Sequence, residues 1–265
     1  MKIDVISVIF GSFFILLGHC PGARDQMTPE KKLERAELEH YLKTAKVVNV
    51  EKEALAGRTA AWTVSLDDGT TARSAVFKHV HRARPALLPD SYTYELAAYE
   101  LSKLLHFNYV PPLVEREIEG VKGSLQLFLK DCISEKERKR KNIEPPNPDS
   151  FQRAREEVAI FENLVSDECG DQSDTLIHKN TWEICRIDFS EAFDPSMGLL
   201  EGCPIHRCSK GFYQNLSTIE DETIRARLKS YLNEEESQAL LARRKIIAEK
   251  IRSLIKEKGE AAVLF

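Results

Sequence analysis

The feature that most restricts this chain is Asp67-Asp68-Gly69, set between two segments of period-two hydrophobicity. Upstream, Thr59 to Leu66 alternates apolar and polar residues through Trp62, Val64 and Leu66; downstream, Arg73 to Lys78 supplies a returning strand. Alternation sends successive side chains to opposite faces, and an Asp-Gly turn tolerates the positive backbone angles of a tight hairpin. With Val47 to Val50 placed before a loop at Glu51 to Arg58, the spacing predicts three antiparallel strands. Between Ser91 and Leu105 the period becomes helical, with Leu96, Ala98, Tyr99, Leu101, Leu104 and Leu105 on one face. Val110-Pro111-Pro112 ends that helix, and two further strand-like segments, Leu113-Val114 and Ser124 to Phe128, flank a turn at Glu119 to Gly123. The expectation is a five-stranded sheet carrying one helix.

The rest of the chain reads differently. Thr28 is a candidate cap, with Pro29 at the first position of a short, charged, exposed helix. Lys130 to Ser150 is charged and then proline-rich, which suits an exposed connection between lobes. A helix is expected from Phe151 to about Val165, and a short hairpin pair between Thr181 and Phe189 around Asn180. From Asp221 onward the pattern is strongly helical, with Ile246, Ile247, Ile251, Leu254 and Ile255 on one side. The fold class is therefore α+β: a β-rich first lobe and a mainly helical second one. At 265 residues and 42% hydrophobic content the chain can bury one substantial core, and a net charge of -4 gives no excess of cations for tracking nucleic-acid phosphates.

The N-terminus carries Lys2 and then a largely apolar run from Val5 to Leu17, followed by Gly18, Cys20, Pro21 and Ala23. That run is shorter than the roughly 20 residues of a membrane-spanning helix, so residues 1–23 read as a secretory signal cleaved near Ala23, although Asp4 is unusual there. Lipid attachment at Cys20, which alone would give a membrane association, is the alternative; His19 fits it poorly. An exported chain, periplasmic or extracellular in a bacterium, meets an oxidising compartment in which Cys132, Cys169, Cys185, Cys203 and Cys208 are able to bridge. Cys203-Pro-Ile-His206-Arg-Cys208 suggests a local disulfide, or a metal half-site that lacks a matching partner pair.

Lys78 on the third strand, Glu95 in the following helix, Gln126 on a connecting strand, and Ile187-Asp188-Phe189 followed by Ala192-Phe193 occur in an order that resembles the atypical kinases. That group includes the phosphoinositide kinases, the secretory-pathway casein kinases and the bacterial persistence-toxin kinases, and the likeness is strongest to exported bacterial members. It covers about residues 43 to 265, and implies a two-lobed kinase-like domain at 24–265 with an N-lobe near 43–129 and a C-lobe near 150–265. By that resemblance Lys78 reaches nucleotide phosphates, Glu95 holds Lys78, Gln126 lines the adenine side, and Asp174 and Asp188 bind the Mg (or Mn) of ATP. Read without it, Lys78 is an ordinary surface lysine and Glu95 an acid at a helix start.

The family's Asp-Arg-x-x-x-Asn pattern is broken here: Cys169 stands at the catalytic Asp, Gly170 at the Arg and Asp174 at the Asn. A neutral thiol lacks the charge of a carboxylate and accepts hydrogen bonds weakly. Asp167 and Asp171, two residues to either side, are the candidates to replace it. The expectations are thus a residual or altered kinase, or a pseudokinase scaffold that holds a protein partner; the acceptor, protein or small molecule, is not named by the residues. A Cys169 nucleophile is disfavoured, because neighbouring acids raise a thiol's pKa.

Overall fold

A computed structural model of the chain describes residues 29–52 and 60–265, with residues 29–33 described in backbone alone. The expected signal segment, Cys20, the Thr28 cap and most of the loop after Glu51 lie outside the described residues. Five strands, β1 (Lys46–Glu51), β2 (Ala61–Asp67), β3 (Ala72–Lys78), β6 (Leu113–Ile118) and β7 (Val121–Leu127), form one sheet in the order β1-β2-β3-β7-β6, with every pair antiparallel. Its hairpin turn works as the sequence implies. Gly69 sits at φ +91°, and Asp68 Oδ1 accepts the N–H groups of Thr70 and Thr71 at 2.8 Å each. Two short strands, β4 (His81–Arg82) and β5 (Asp90–Ser91), lead into helix α2 (Tyr92–Leu105), whose first turn is capped by the Ser91 hydroxyl accepting from Thr93 N–H.

Helix α1 (Pro29–Thr44) is not the exposed helix its charges suggest. Its last turn and the residue after it bury Tyr41, Leu42 and Ala45 against Trp62, Val64, Leu66 and Phe77, and Arg116 donates to Leu42 O and Ala45 O at 2.7 and 2.6 Å. The sheet needs this cover, because α2 commits its own apolar face to the larger core, with Phe107, Phe161, Phe189, Phe193 and Phe212. Phe107 and Phe161 stack there at 4.2 Å between ring centroids.

The second lobe holds β8 (Cys132–Ser134), α3 (Glu135–Arg140), α4 (Pro148–Val165), β9 (Thr175–His178), β10 (Ile184–Arg186), α5 (Lys210–Thr218), α6 (Asp221–Leu228), α7 (Glu234–Lys258) and α8 (Glu260–Val263). Lys130 to Ser150 is therefore more than an exposed connection. β8 pairs with β9, and buried Glu135 holds Arg138 at 2.6 Å and Arg155 at 3.3 Å. The second-lobe hairpin also begins earlier than expected, with Asn180 in the turn between β9 and β10. On α7, Ile247 and Ile251 are buried whereas Ile246 faces solvent. Among the described residues no helix is long and apolar enough to cross a membrane.

Cys203 does not pair with Cys208. It forms a disulfide with Cys169 across 34 residues of sequence, with the Cα atoms 5.7 Å apart, so the expected local bridge does not form. Cys208 is instead held against the C-terminal residues, its N–H donating to Val263 O at 3.1 Å and its carbonyl accepting from Phe265 N–H at 3.1 Å. A loop of that length corresponds to roughly 3–4 kcal/mol of stabilisation in the chain-entropy picture.

One glycine has no substitute. A Cβ on Gly123 in β7 would lie 2.3 Å from Lys78 O and 2.7 Å from Phe77 Cζ. Gly123→Ala is expected to cost about 2–3 kcal/mol, read from the denaturation midpoint; a change below about 0.5 kcal/mol would show that β3 and β7 separate freely here.

Candidate functional site

Strand register brings the first two candidates together. Lys78 ends β3 directly opposite Ser124 of β7, and their side chains share one face of the sheet. Lys78 Nζ lies 2.6 Å from Glu95 Oε1, while the other oxygen of Glu95 accepts from Ser124 Oγ at 2.8 Å. Glu95 is buried in the first turn of α2, so its two oxygens are satisfied by the two strands beside it.

The same ammonium reaches the other lobe, with Asp188 Oδ1 2.7 Å from Lys78 Nζ. Asp188 follows β10 at φ +61°, a left-handed backbone that aspartate tolerates, and Ser190 Oγ donates to it at 3.1 Å. Its position relative to α2 is fixed by main-chain contacts. Ser91 N–H donates to Ser190 O at 2.8 Å, and Arg84 reaches Ala192 O at 2.8 Å and the carbonyls of Glu191 and Phe193 at 3.1 Å each. The residue that caps α2 thus also grips the segment carrying Asp188. Lys78 is 15% exposed and Asp188 35%, so the pair opens to solvent on the Asp188 side.

Burial by itself would lower the Lys78 pKa, but Glu95 and Asp188 outweigh it and hold the ammonium well above its usual range. Burial would raise that of Asp188, but Lys78 lowers it further. Asp174, at the end of the loop after α4, accepts from Ile187 N–H through its carbonyl at 3.0 Å. Its carboxyl is pushed up to about 7 by burial, then by the nearby charges of Asp188 and Asp171. Carboxylates crowded in this way suit hard divalent cations, which prefer oxygen donors and relieve the repulsion.

The remaining candidates stand apart from this group. Gln126 lies opposite Val76 and two residues from Ser124, which puts it on the Lys78 face without a direct contact to the ion pair. Half-buried Asp167 lies 2.5 Å from Arg186 Nη2, and desolvation of its carboxyl pushes it up to about 7 against the pull of that arginine. Asp171 turns its carboxylate to its own loop, accepting from Ser173 N–H at 2.5 Å and Asp174 N–H at 3.1 Å. Cys169 is in the disulfide, so it offers neither a proton acceptor nor a nucleophilic thiol.

Two residues went unremarked in the sequence. Arg186 is fully buried, pairs with Glu162 at 2.8 Å as well as with Asp167, and donates to Ile187 O. Glu162 on α4 in turn accepts from Gly170 N–H at 2.7 Å. The one available signal was an arginine inside the otherwise apolar stretch from Ile184 to Ile187, since a charge in a buried strand requires partners.

Lobes, sheet order and the Lys78 contact define a kinase-like fold. The solved structure of the Helicobacter pylori proinflammatory kinase CtkA is similar, with a TM-score of 0.51 and 8% identity over 84% of this chain and 99% of that one. A CtTel1 dimer also matches, at 13% identity over 78% of this chain and 12% of that one, but its TM-score of 0.42 carries no weight. No protein-family model and no curated protein sequence matches the chain.

A carboxyl whose folded pKa lies above its unfolded value of 3.8 costs stability in full above pH 7, and the cost is relieved as pH falls toward 4. Asp174→Asn is therefore expected to stabilise the protein at pH 8 without divalent ions. The gain is roughly 1 kcal/mol after solvent screening at this half-open position, or about 2–4 °C in Tm. It should fade toward pH 4; equal Tm values at pH 8 would contradict the crowding.

Proposed function

We propose that the chain is an exported, atypical kinase-like protein that binds ATP with Mg or Mn between its lobes, with impaired or altered phosphotransfer. The observation that carries this reading is the Lys78 ammonium, 2.6 Å from Glu95 on one lobe and 2.7 Å from Asp188 on the other. Lys78 would exchange Asp188 for the nucleotide's phosphates and stay anchored by Glu95. Asp188 and Asp174 would hold the cation, whose chemistry is to neutralise the charge between β- and γ-phosphates. Gln126 would border the adenine. Asp171 is the better placed of the two acceptor candidates, since Asp167 is committed to a buried arginine.

The second reading, a pseudokinase scaffold for a protein partner, is favoured by one observation: Cys169, which the resemblance aligns with the acceptor-orienting carboxylate, is held in a disulfide. Both readings predict cation-dependent nucleotide binding only if the site is intact, and they part on chemistry.

Mg-ATP at about 100 times its Kd should raise Tm by roughly 5–10 °C. The shift should vanish with EDTA and in Asp188→Ala. No shift in the unmutated protein with either cation would overturn nucleotide binding. Transfer of labelled γ-phosphate that is lost in Asp174→Ala would select the kinase, and binding without transfer the scaffold.

A further inference from the structure

Cys169 sits between Asp167 and Asp171 in the loop joining α4 to β9, and its bond to Cys203 ends on a firm base. Asn163 of α4 grips the turn around Cys203 from both sides, its Oδ1 accepting from Leu200 N–H at 3.0 Å and its Nδ2 donating to Cys203 O at 3.1 Å. The covalent bond therefore fastens the acidic loop to α4 itself. The loop's other fasteners are polar. Gly170 N–H donates to Glu162, Asp167 pairs with Arg186, and Gln172 O accepts from Lys136 N–H at 2.8 Å, while Glu168, Gly170, Gln172 and Ser173 are exposed.

Resting on the cation-site reading above, we propose that the Cys169–Cys203 disulfide is the positioning element of the cation-binding loop, and that its reduction loosens the site. Access is one-sided. Cys203 is buried, whereas Cys169 is partly exposed and lines a cavity of about 280 Å³ with Gln152, Arg155, Gly170 and His206. A thiolate of a small dithiol attacks Cys169 Sγ, and the electron pair of the S–S bond leaves with Cys203 Sγ, which takes up a proton. The reagent's second thiol then displaces Cys169 as a thiol and closes the reagent's own disulfide. Two electrons and two protons pass from the dithiol to the protein.

Freed at residue 169, the loop keeps Asp171 and Asp174 in place through non-covalent polar contacts alone, so the carboxylates lose their fixed spacing to Asp188. Because coupling between two sites is reciprocal, bound Mg-nucleotide should also make the bridge harder to reduce. The bridge offers a covalent solution where the family pattern has a catalytic carboxylate.

The test compares the folded full chain before and after dithiothreitol, with Cys132→Ser as a thiol control and Cys203→Ser as a permanently open variant. Two quantities are read: the affinity for a fluorescent ATP analogue with Mn²⁺, and amide exchange of residues 166–175. Reduction and Cys203→Ser should each weaken binding roughly tenfold, as is usual for coupled sites, and speed exchange in that segment by a similar factor. Cys132→Ser should respond to dithiothreitol as the unmutated protein does. Unchanged exchange on reduction overturns the positioning role. Faster exchange with no nucleotide binding in either redox state keeps the bridge as the loop's fastener and removes the nucleotide reading instead. Faster exchange with equal affinity in both states overturns the link to the site.

Discussion

The structure turns on one ammonium group shared by two lobes. Lys78 takes Glu95 from the helix beside its own sheet and Asp188 from the far lobe, and each partner is further held by a serine, Ser124 and Ser190. Removing the lysine would leave a buried and a half-buried carboxylate facing each other, the situation in which breaking an ion pair costs most. Nothing about the pair is local in sequence. The β3–β7 register sets the height of Lys78 and the α2 cap sets that of Glu95. The cap's own N–H, bonded to Ser190, brings Asp188 across.

Around this pair the charge balance is uneven. Asp174 and Asp167 are both driven toward neutrality by burial, and a single buried arginine, Arg186, serves Glu162 and Asp167 together. Under the function proposed above, a multivalent cation would offset the repulsion that Asp188 and Asp171 exert on Asp174. A carboxylate in place of Cys169 would add to the crowding, whereas the disulfide there carries no charge.

The first lobe was legible in the sequence because its signals are short-range. Period-two alternation around Asp67-Asp68-Gly69 and the switch to helical spacing after Ser91 gave the strands, their turn and the helix, whereas the pairing of Lys78 with Glu95 came only from the resemblance to the atypical kinases. Where burial is decided by distant partners the sequence was misleading. Tyr41 and Leu42 sit in a helix dominated by charge, so its cover over the sheet was invisible. Glu135 and Arg138 looked like part of a solvated basic run until their mutual pairing and Arg155 were in view. The disulfide misled for a similar reason: Cys208 is nearer to Cys203 in sequence, but backbone pairing with the C-terminal residues holds it elsewhere. Arg186 needed Glu162 of α4 and Asp167 in the loop after it to make sense.

The most direct measurement is a crystal structure of the oxidised protein grown with Mn²⁺ and a non-hydrolysable ATP analogue, with the metal located by anomalous scattering. The account predicts a manganese peak between the carboxylates of Asp174 and Asp188, and Lys78 Nζ on a phosphate oxygen while still bonded to Glu95. A peak elsewhere on the molecule, or an empty cleft with Lys78 still closed on Asp188, would contradict it.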